Sequence, residues 1–147
     1  MVEAALLKVF CSNFVAYYKS HASHVNVVGR NFVSDHELLN GIYDELQDEI
    51  DTLGELLRTV KAEFPYTISD TIAGSEIPDD LYPGDALDLL EQVYMDIETL
   101  IDVHLDLEDA TSDSREYNHL ANYAQDRVKS LQKHCWMLRS VIDGRAV

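Results

Sequence analysis

All three prolines of this chain, Pro65, Pro78 and Pro83, fall in one connection, roughly residues 62–84. A proline inside a helix removes a backbone hydrogen bond and clashes with the preceding turn. Residues 1–61 and 85–147 are therefore free of the strongest helix breaker. In both stretches apolar residues recur at three- and four-residue steps, the period of a helix that buries one stripe. The clearest stripe is Leu39, Ile42, Leu46, Ile50, Leu53 and Leu57. No strand-type alternation competes. The pattern predicts an all-α chain with long helices over about Ala4 to Val28, Ser34 to Lys61, Asp85 to Leu107 and Asp113 to Asp143. Ser34 is the expected N-cap of the second helix, with Glu37 completing a capping box. The first stripe is read as Leu7, Phe10, Phe14, Tyr17, Tyr18 and Val25, and the third as Leu90, Val93, Ile97, Leu100 and Ile101. The fourth carries Leu120, Ala124, Val128, Leu131, Cys135, Leu138 and Ile142.

Two short links and one long crossover between the second and third helices are the ferritin-like way to wire a four-helix bundle. Ile68, Ile72 and Ile77 predict that part of the crossover packs, as a short helix. Residues 1–147 read as one domain, and an apolar share of 46% excludes a disordered chain. The 27 acids against 11 Lys and Arg leave a formal net charge of −16, which repels phosphate backbones and attracts cations. Cys11 and Cys135 have no CxxC partner and sit in helical patterns, so buried free thiols are expected. The start MVEAALLKVF carries Glu3 and no basic segment, and no apolar run approaches the ~20 residues of a membrane span. A cytoplasmic protein without membrane contact is the expectation.

Metal chemistry in a bundle core needs Glu-x-x-His on two helices. This chain has one such spacing, Glu116-x-x-His119, which reads as chance on a polar face. His21 and His104 fall on apolar stripes and read as core histidines with one hydrogen bond. The HELLN stretch at 36–40 lacks the second His of a zincin. What remains is one face of the second helix, nearly opposite its apolar stripe. His36, Asn40, Asp51 and Glu55 lie within about 100° of each other there, beside Glu37, Asp44 and Asp48. A solvated acidic face is the plainer reading. The alternative is metal binding, but His36 and Asp51 stand ~22 Å apart along the axis, too far for one ion. Two copies packed antiparallel about a two-fold near Glu45 and Leu46 would pair His36 of one with Asp51 and Glu55 of the other, twice over. Nitrogen and carboxylate ligands with open positions suit iron and redox chemistry.

The run His24–Val–Asn–Val–Val–Gly–Arg–Asn31–Phe32, then His36–Glu37–Leu–Leu–Asn40–Gly41 and Asp51–Thr–Leu–Gly–Glu55, resembles the Dps family, the mini-ferritins of DNA protection during starvation. The ending Lys133–His–Cys–Trp136–Met–Leu–Arg139 is similar to that family's last helix. The resemblance implies a hollow dodecamer of four-helix subunits. It implies inter-subunit ferroxidase sites, with His24 and His36 from one subunit and Asp51 and Glu55 from its partner. Such proteins bind ferrous iron, oxidise it, commonly with hydrogen peroxide, and store the ferric product. They act as ferroxidases and suppress hydroxyl-radical formation.

Three positions depart from the family pattern. Asn40 stands where an acid is usual, Val25 where Trp is frequent, and Asn122 where a pore acid is frequent, with Asp109, Asp113 or Glu116 as substitutes. Neither end supplies a Lys-rich tail. Arg127, Lys129 and Lys133 cluster on the last helix, so DNA binding is expected to be weak or absent. A structural or metal-buffering shell with weak ferroxidase activity, and a DNA-compacting protein, are the two alternative readings.

Overall fold

The computed structural model describes residues 1–145 and shapes them into an all-α bundle. α1 spans Val2–Asn26, α2 Phe32–Thr59, α3 Ile68–Ala73, α4 Ala86–Thr111 and α5 Asn118–Arg145. The short α3 lies in the long crossover between α2 and α4, as the isoleucines of that segment predicted. Ile77 is buried and Ile72 half-buried, whereas Ile68 is exposed. Among the described residues no helix is long and apolar enough to cross a membrane.

The α2 stripe points inward as read. Leu39, Ile42, Leu46, Leu53 and Leu57 are fully buried and Ile50 is half-buried. Each such leucine withdrawn from water contributes about 1.5–3 kcal/mol before entropy is counted. Leu90, Val93, Ile97 and Leu100 of α4 and Leu120, Ala124, Leu131 and Leu138 of α5 complete the core. The two cysteines are buried free thiols, as expected, and burial pushes both up to about 11.

Three expectations are corrected. The α1 stripe is shifted: Phe10 is buried as read and Leu7, Phe14 and Tyr17 are half-buried, but Leu6 and Val9 are buried beside them and Tyr18 and Val25 are exposed. The reason is that α1 turns polar groups inward, among them Ser12, Asn13, Lys19, Ser20 and Ser23. Asn13 donates from Nδ2 to the Leu46 carbonyl at 2.9 Å, which locks α1 against α2. Second, α2 begins at Phe32 behind Asn31, with no side-chain cap. Ser34 is inside the first turn and its hydroxyl donates to the Asn31 carbonyl, so it cannot act as the cap. Third, α4 runs on to Thr111 and α5 starts only at Asn118, so Asp113 lies in the link. The start of α4 is as read. Asp85 caps it through a capping box with Asp88, and both reciprocal hydrogen bonds form.

The crossover is tied down from both sides. Lys19 reaches from α1 to the Pro78 carbonyl at 3.2 Å and to Asp96 of α4 at 3.0 Å. The Phe64 ring rests on Gly54 of α2, where a Cβ would come within 2.7 Å of it. Arg145 at the end of α5 clasps both carboxylate oxygens of the buried Asp35 at the start of α2.

Candidate metal centre

Gly29 makes the turn from α1 to α2 with φ +126°, a region that an L side chain rarely adopts. The turn folds the last coil of α1 onto the first of α2. It brings His24, 7% exposed, against His36. Their rings stack with centroids 3.7 Å apart and planes 15° from parallel. Nδ1 of His24 donates to the His36 carbonyl at 2.7 Å, and Nδ1 of His36 donates to the His24 carbonyl at 2.8 Å. A carbonyl oxygen only accepts, so both Nδ1 atoms carry hydrogen and each neutral ring keeps its lone pair on Nε2. Fixing one ring nitrogen on a backbone carbonyl is how proteins orient metal-ligating histidines.

An aromatic wall holds the pair. His21 stacks on Tyr43 at 4.0 Å, Tyr43 lies 4.8 Å from His24, and Phe32 lies 5.0 Å from His36. His21 makes one hydrogen bond, between its Nδ1 and the Tyr17 hydroxyl at 3.0 Å, as the sequence suggested. It belongs to this wall, half-buried, and not to the leucine core. His104 is the core histidine expected. It is fully buried, and its Nδ1 donates to the Leu100 carbonyl at 2.7 Å.

Asp51 and Glu55 are exposed on α2, ~22 Å or more along the helix from His36. Within one chain they do not meet the histidines, and among the described residues no three His, Cys, Asp or Glu side chains converge so as to hold a metal. Asn40 is exposed on the same helix. Glu116 and His119 are exposed too, with Glu116 in the link before α5. Around the histidine pair Val25, Val28 and Val33 are each about two-thirds exposed, at 65%, 69% and 65%.

A second polar cluster escaped the sequence reading. Glu45 of α2 accepts from Ser130 at 2.6 Å, His134 at 2.8 Å and Arg127 at 3.2 Å, all on α5. Glu49 accepts from the Tyr123 hydroxyl at 2.6 Å, and Arg127 Nε stands 3.7 Å away. Burial alone would raise the Glu45 carboxyl. The bonds from His134 and Ser130 and the charge of Arg127 outweigh it and hold Glu45 down to about 2. Arg127 is 8% exposed, so it does not join Lys129 and Lys133 in a surface patch. The spacing 127, 130, 134 facing 45, 49 was the available signal: both sets keep to one helix face.

With this geometry in hand, the relatives are informative. Residues 3–145 match the model of the ferritin-like domain. A DNA protection during starvation protein of Brevibacillus brevis is 28% identical over 145 residues, covering 95% of this chain and 94% of that protein. The crystal structure of a Dps protein from Bacillus brevis superposes with a TM-score of 0.88 at 26% identity, covering 96% and 94% of the two chains. The Dps protein of Vibrio cholerae O1, described as a member of a superfamily of ferritin-like diiron-carboxylate proteins, superposes with a TM-score of 0.88 at 20% identity, covering 96% and 88%. The bundle, its long crossover and the near full-length match agree: the chain belongs to the ferritin-like family, in its Dps branch.

Proposed function

We propose that this protein is a mini-ferritin that oxidises ferrous iron at sites shared between two subunits and stores the ferric product, limiting oxidative damage. The observation that carries the reading is the stacked His24–His36 pair, with both Nδ1 atoms spent on carbonyls and both Nε2 atoms left to bind. Two imidazoles from one subunit and the carboxylates of Asp51 and Glu55 from a second make a nitrogen and oxygen donor set that suits ferrous iron. The valines around the histidines supply apolar surface for that second copy. The oxidant is hydrogen peroxide: two ferrous ions lose one electron each, the O–O bond breaks, and two protons complete two waters. His24 and His36 hold iron in place, and the carboxylates balance the charge that builds as it becomes ferric. We read residues 1–147 as a single cytoplasmic domain, assembled into a hollow dodecamer.

The test is complementation. A chain carrying His24→Ala and His36→Ala, and a chain carrying Asp51→Ala and Glu55→Ala, should each lose the fast phase of peroxide-driven iron oxidation while staying assembled. Unfolded and reassembled together, random pairing restores one intact site in each mixed dimer, or about a quarter of the wild-type sites. Recovery to that level supports a shared site. An inactive mixture, or an acid-less chain that oxidises iron at the wild-type rate by itself, refutes it.

A further inference from the structure

Ferritin-like bundles can hold metal between their helices, on carboxylates and histidines that project inward. In this chain an imidazole of α5 meets a carboxylate of α2, with a second carboxylate nearby, although with Arg127 in place the three do not converge so as to hold a metal. His134 Nε2 lies 2.8 Å from Glu45 Oε2, and Glu49 is one turn along the same helix face. The three side chains are only 31%, 19% and 13% exposed for Glu45, Glu49 and His134. Between them stands the Arg127 guanidinium, 3.2 Å from Glu45 and 3.7 Å from Glu49.

We propose that Arg127 determines where this protein holds metal: its guanidinium serves as a built-in cation in a pocket of Glu45, Glu49 and His134, and so keeps divalent ions out of the bundle. Buried carboxylates need a positive partner, because an unpaired buried charge is strongly destabilising. An arginine supplies that partner permanently, since it does not lose its proton in a protein. A divalent cation would satisfy the same donors, and carboxylate with imidazole is a donor set that binds such ions. The fit of the guanidinium is electrostatic more than geometric. Its Nε is buried and makes no hydrogen bond, with Glu49 Oε1 3.7 Å away. Tyr123 and Ser130 take up other carboxylate lone pairs, donating to Glu49 and Glu45, so the acids are oriented without help from a metal. The consequence is that the space between α2 and α5 offers a divalent ion no free donor set.

The experiment is a Co2+ titration followed by visible absorption and equilibrium dialysis. It is run in the His24→Ala, His36→Ala background, so that the surface half-site does not contribute and its own success or failure is read separately. The parent should bind no Co2+ in the bundle. Arg127→Ala and Arg127→His should each gain about one ion per chain, and adding Glu45→Gln should weaken that site at least tenfold. Arg127→Lys, which keeps a cation, should gain none. Removal of the guanidinium can unfold the chain, so thermal melts are recorded with and without Co2+. A variant that is unfolded alone and folds with Co2+, where the parent is indifferent, also supports the proposal. It is overturned if the folded Arg127→Ala protein binds no more Co2+ than its parent, if Glu45→Gln leaves the new site unchanged, or if Co2+ rescues none of the unfolded variants.

Discussion

Lys19 carries its ammonium group into the bundle, where 6% of the side chain is exposed and Asp96 lies 3.0 Å away. Burial pushes the Asp96 carboxyl up to about 6, against the opposing pull of Lys19. The two partners are therefore unequal when one is removed. Lys19→Met leaves a carboxyl that takes a proton close to neutral pH, and should cost about 1 kcal/mol. Asp96→Ala leaves a buried ammonium with Asp80 at 3.6 Å as its remaining anion, and should cost about 3 kcal/mol. Chemical denaturation of both variants checks the order. If Lys19→Met proves the more damaging, the account of the pair is wrong. Two other buried groups set the acid response. Burial pushes His104 down from 6.5 to about 4, so the folded protein keeps it neutral while the unfolded chain protonates it. Its contribution is complete above about 6.5 and is lost as pH falls toward about 4. Glu45, held down to about 2 from 4.5, contributes fully above about 4.5 and loses its contribution as pH falls toward 2. The His104 effect is on the order of 3 kcal/mol, and that of Glu45 is smaller because its carboxylate keeps more contact with water. Asp96, raised from 3.8 to about 6, works the other way and adds stability as pH falls from about 6 toward 3.8, offsetting much of the His104 loss. Unfolding midpoints measured down the pH scale should therefore fall mainly below about 4.5. Glu45→Gln should flatten that fall, and His104→Leu should let the protein gain stability between about 6.5 and 4.

Among the elements, the α1–α2 hairpin matters most, because the two helix ends it joins carry one histidine each. The turn depends on Gly29 at φ +126°, and a Cβ there would meet no neighbouring atom within 4 Å. Gly29→Ala thus costs backbone strain alone, about 1–2 kcal/mol. Relief of that strain would shift His36 relative to His24, whose ring bonds run to each other's carbonyls. Ferrous oxidation by Gly29→Ala should slow by about tenfold or more, a loss out of proportion to the fall in melting temperature. Equal rates in the variant and wild type would show that the pair does not depend on the turn. The α2 stripe was legible because every inward position except Ile50 is a fully buried leucine or isoleucine. The α1 stripe was not. Asn13, Ser20 and Ser23 are buried with hydrogen-bond partners on neighbouring backbone, and periodicity counts such residues as outward.

At the scale of the whole molecule, charge decides what the surface can touch. The chain carries −16, and Arg127 and Arg145, two of its basic residues, are spent on Glu45 and Asp35. Lys129 and Lys133 are the exposed cations left together on that face of α5. Duplex DNA is held mainly by cations that release counterions from phosphates, so this surface should hold it poorly. Plasmid mixed with the protein at ~50 mM salt and with a chelator should run unretarded, a condition that favours electrostatic binding. The same protein should shield that plasmid from peroxide and ferrous iron. Retardation at submicromolar protein would contradict this. Light scattering should give about twelve subunits, the assembly that the Dps resemblance implies, and a stable dimer would refute it.

The chain's own order of residues was enough for the four long helices, the packed crossover and the face that carries His36, Asp51 and Glu55. Each of these follows from local rules: proline placement, a 3.6-residue period and a fixed rise per residue. It was also enough to show that His36 and Asp51 cannot share an ion within one chain. The tertiary structure decided what local rules do not reach. The stacking of His24 on His36, and the carbonyls that free their Nε2 atoms, require two helix ends to meet across the Gly29 turn. The seating of Arg127 between Glu45 and Glu49 joins residues more than seventy positions apart. Sequence period assigns a side chain to a face of its own helix; which other helix that face meets, and at what height, is fixed only when the bundle closes.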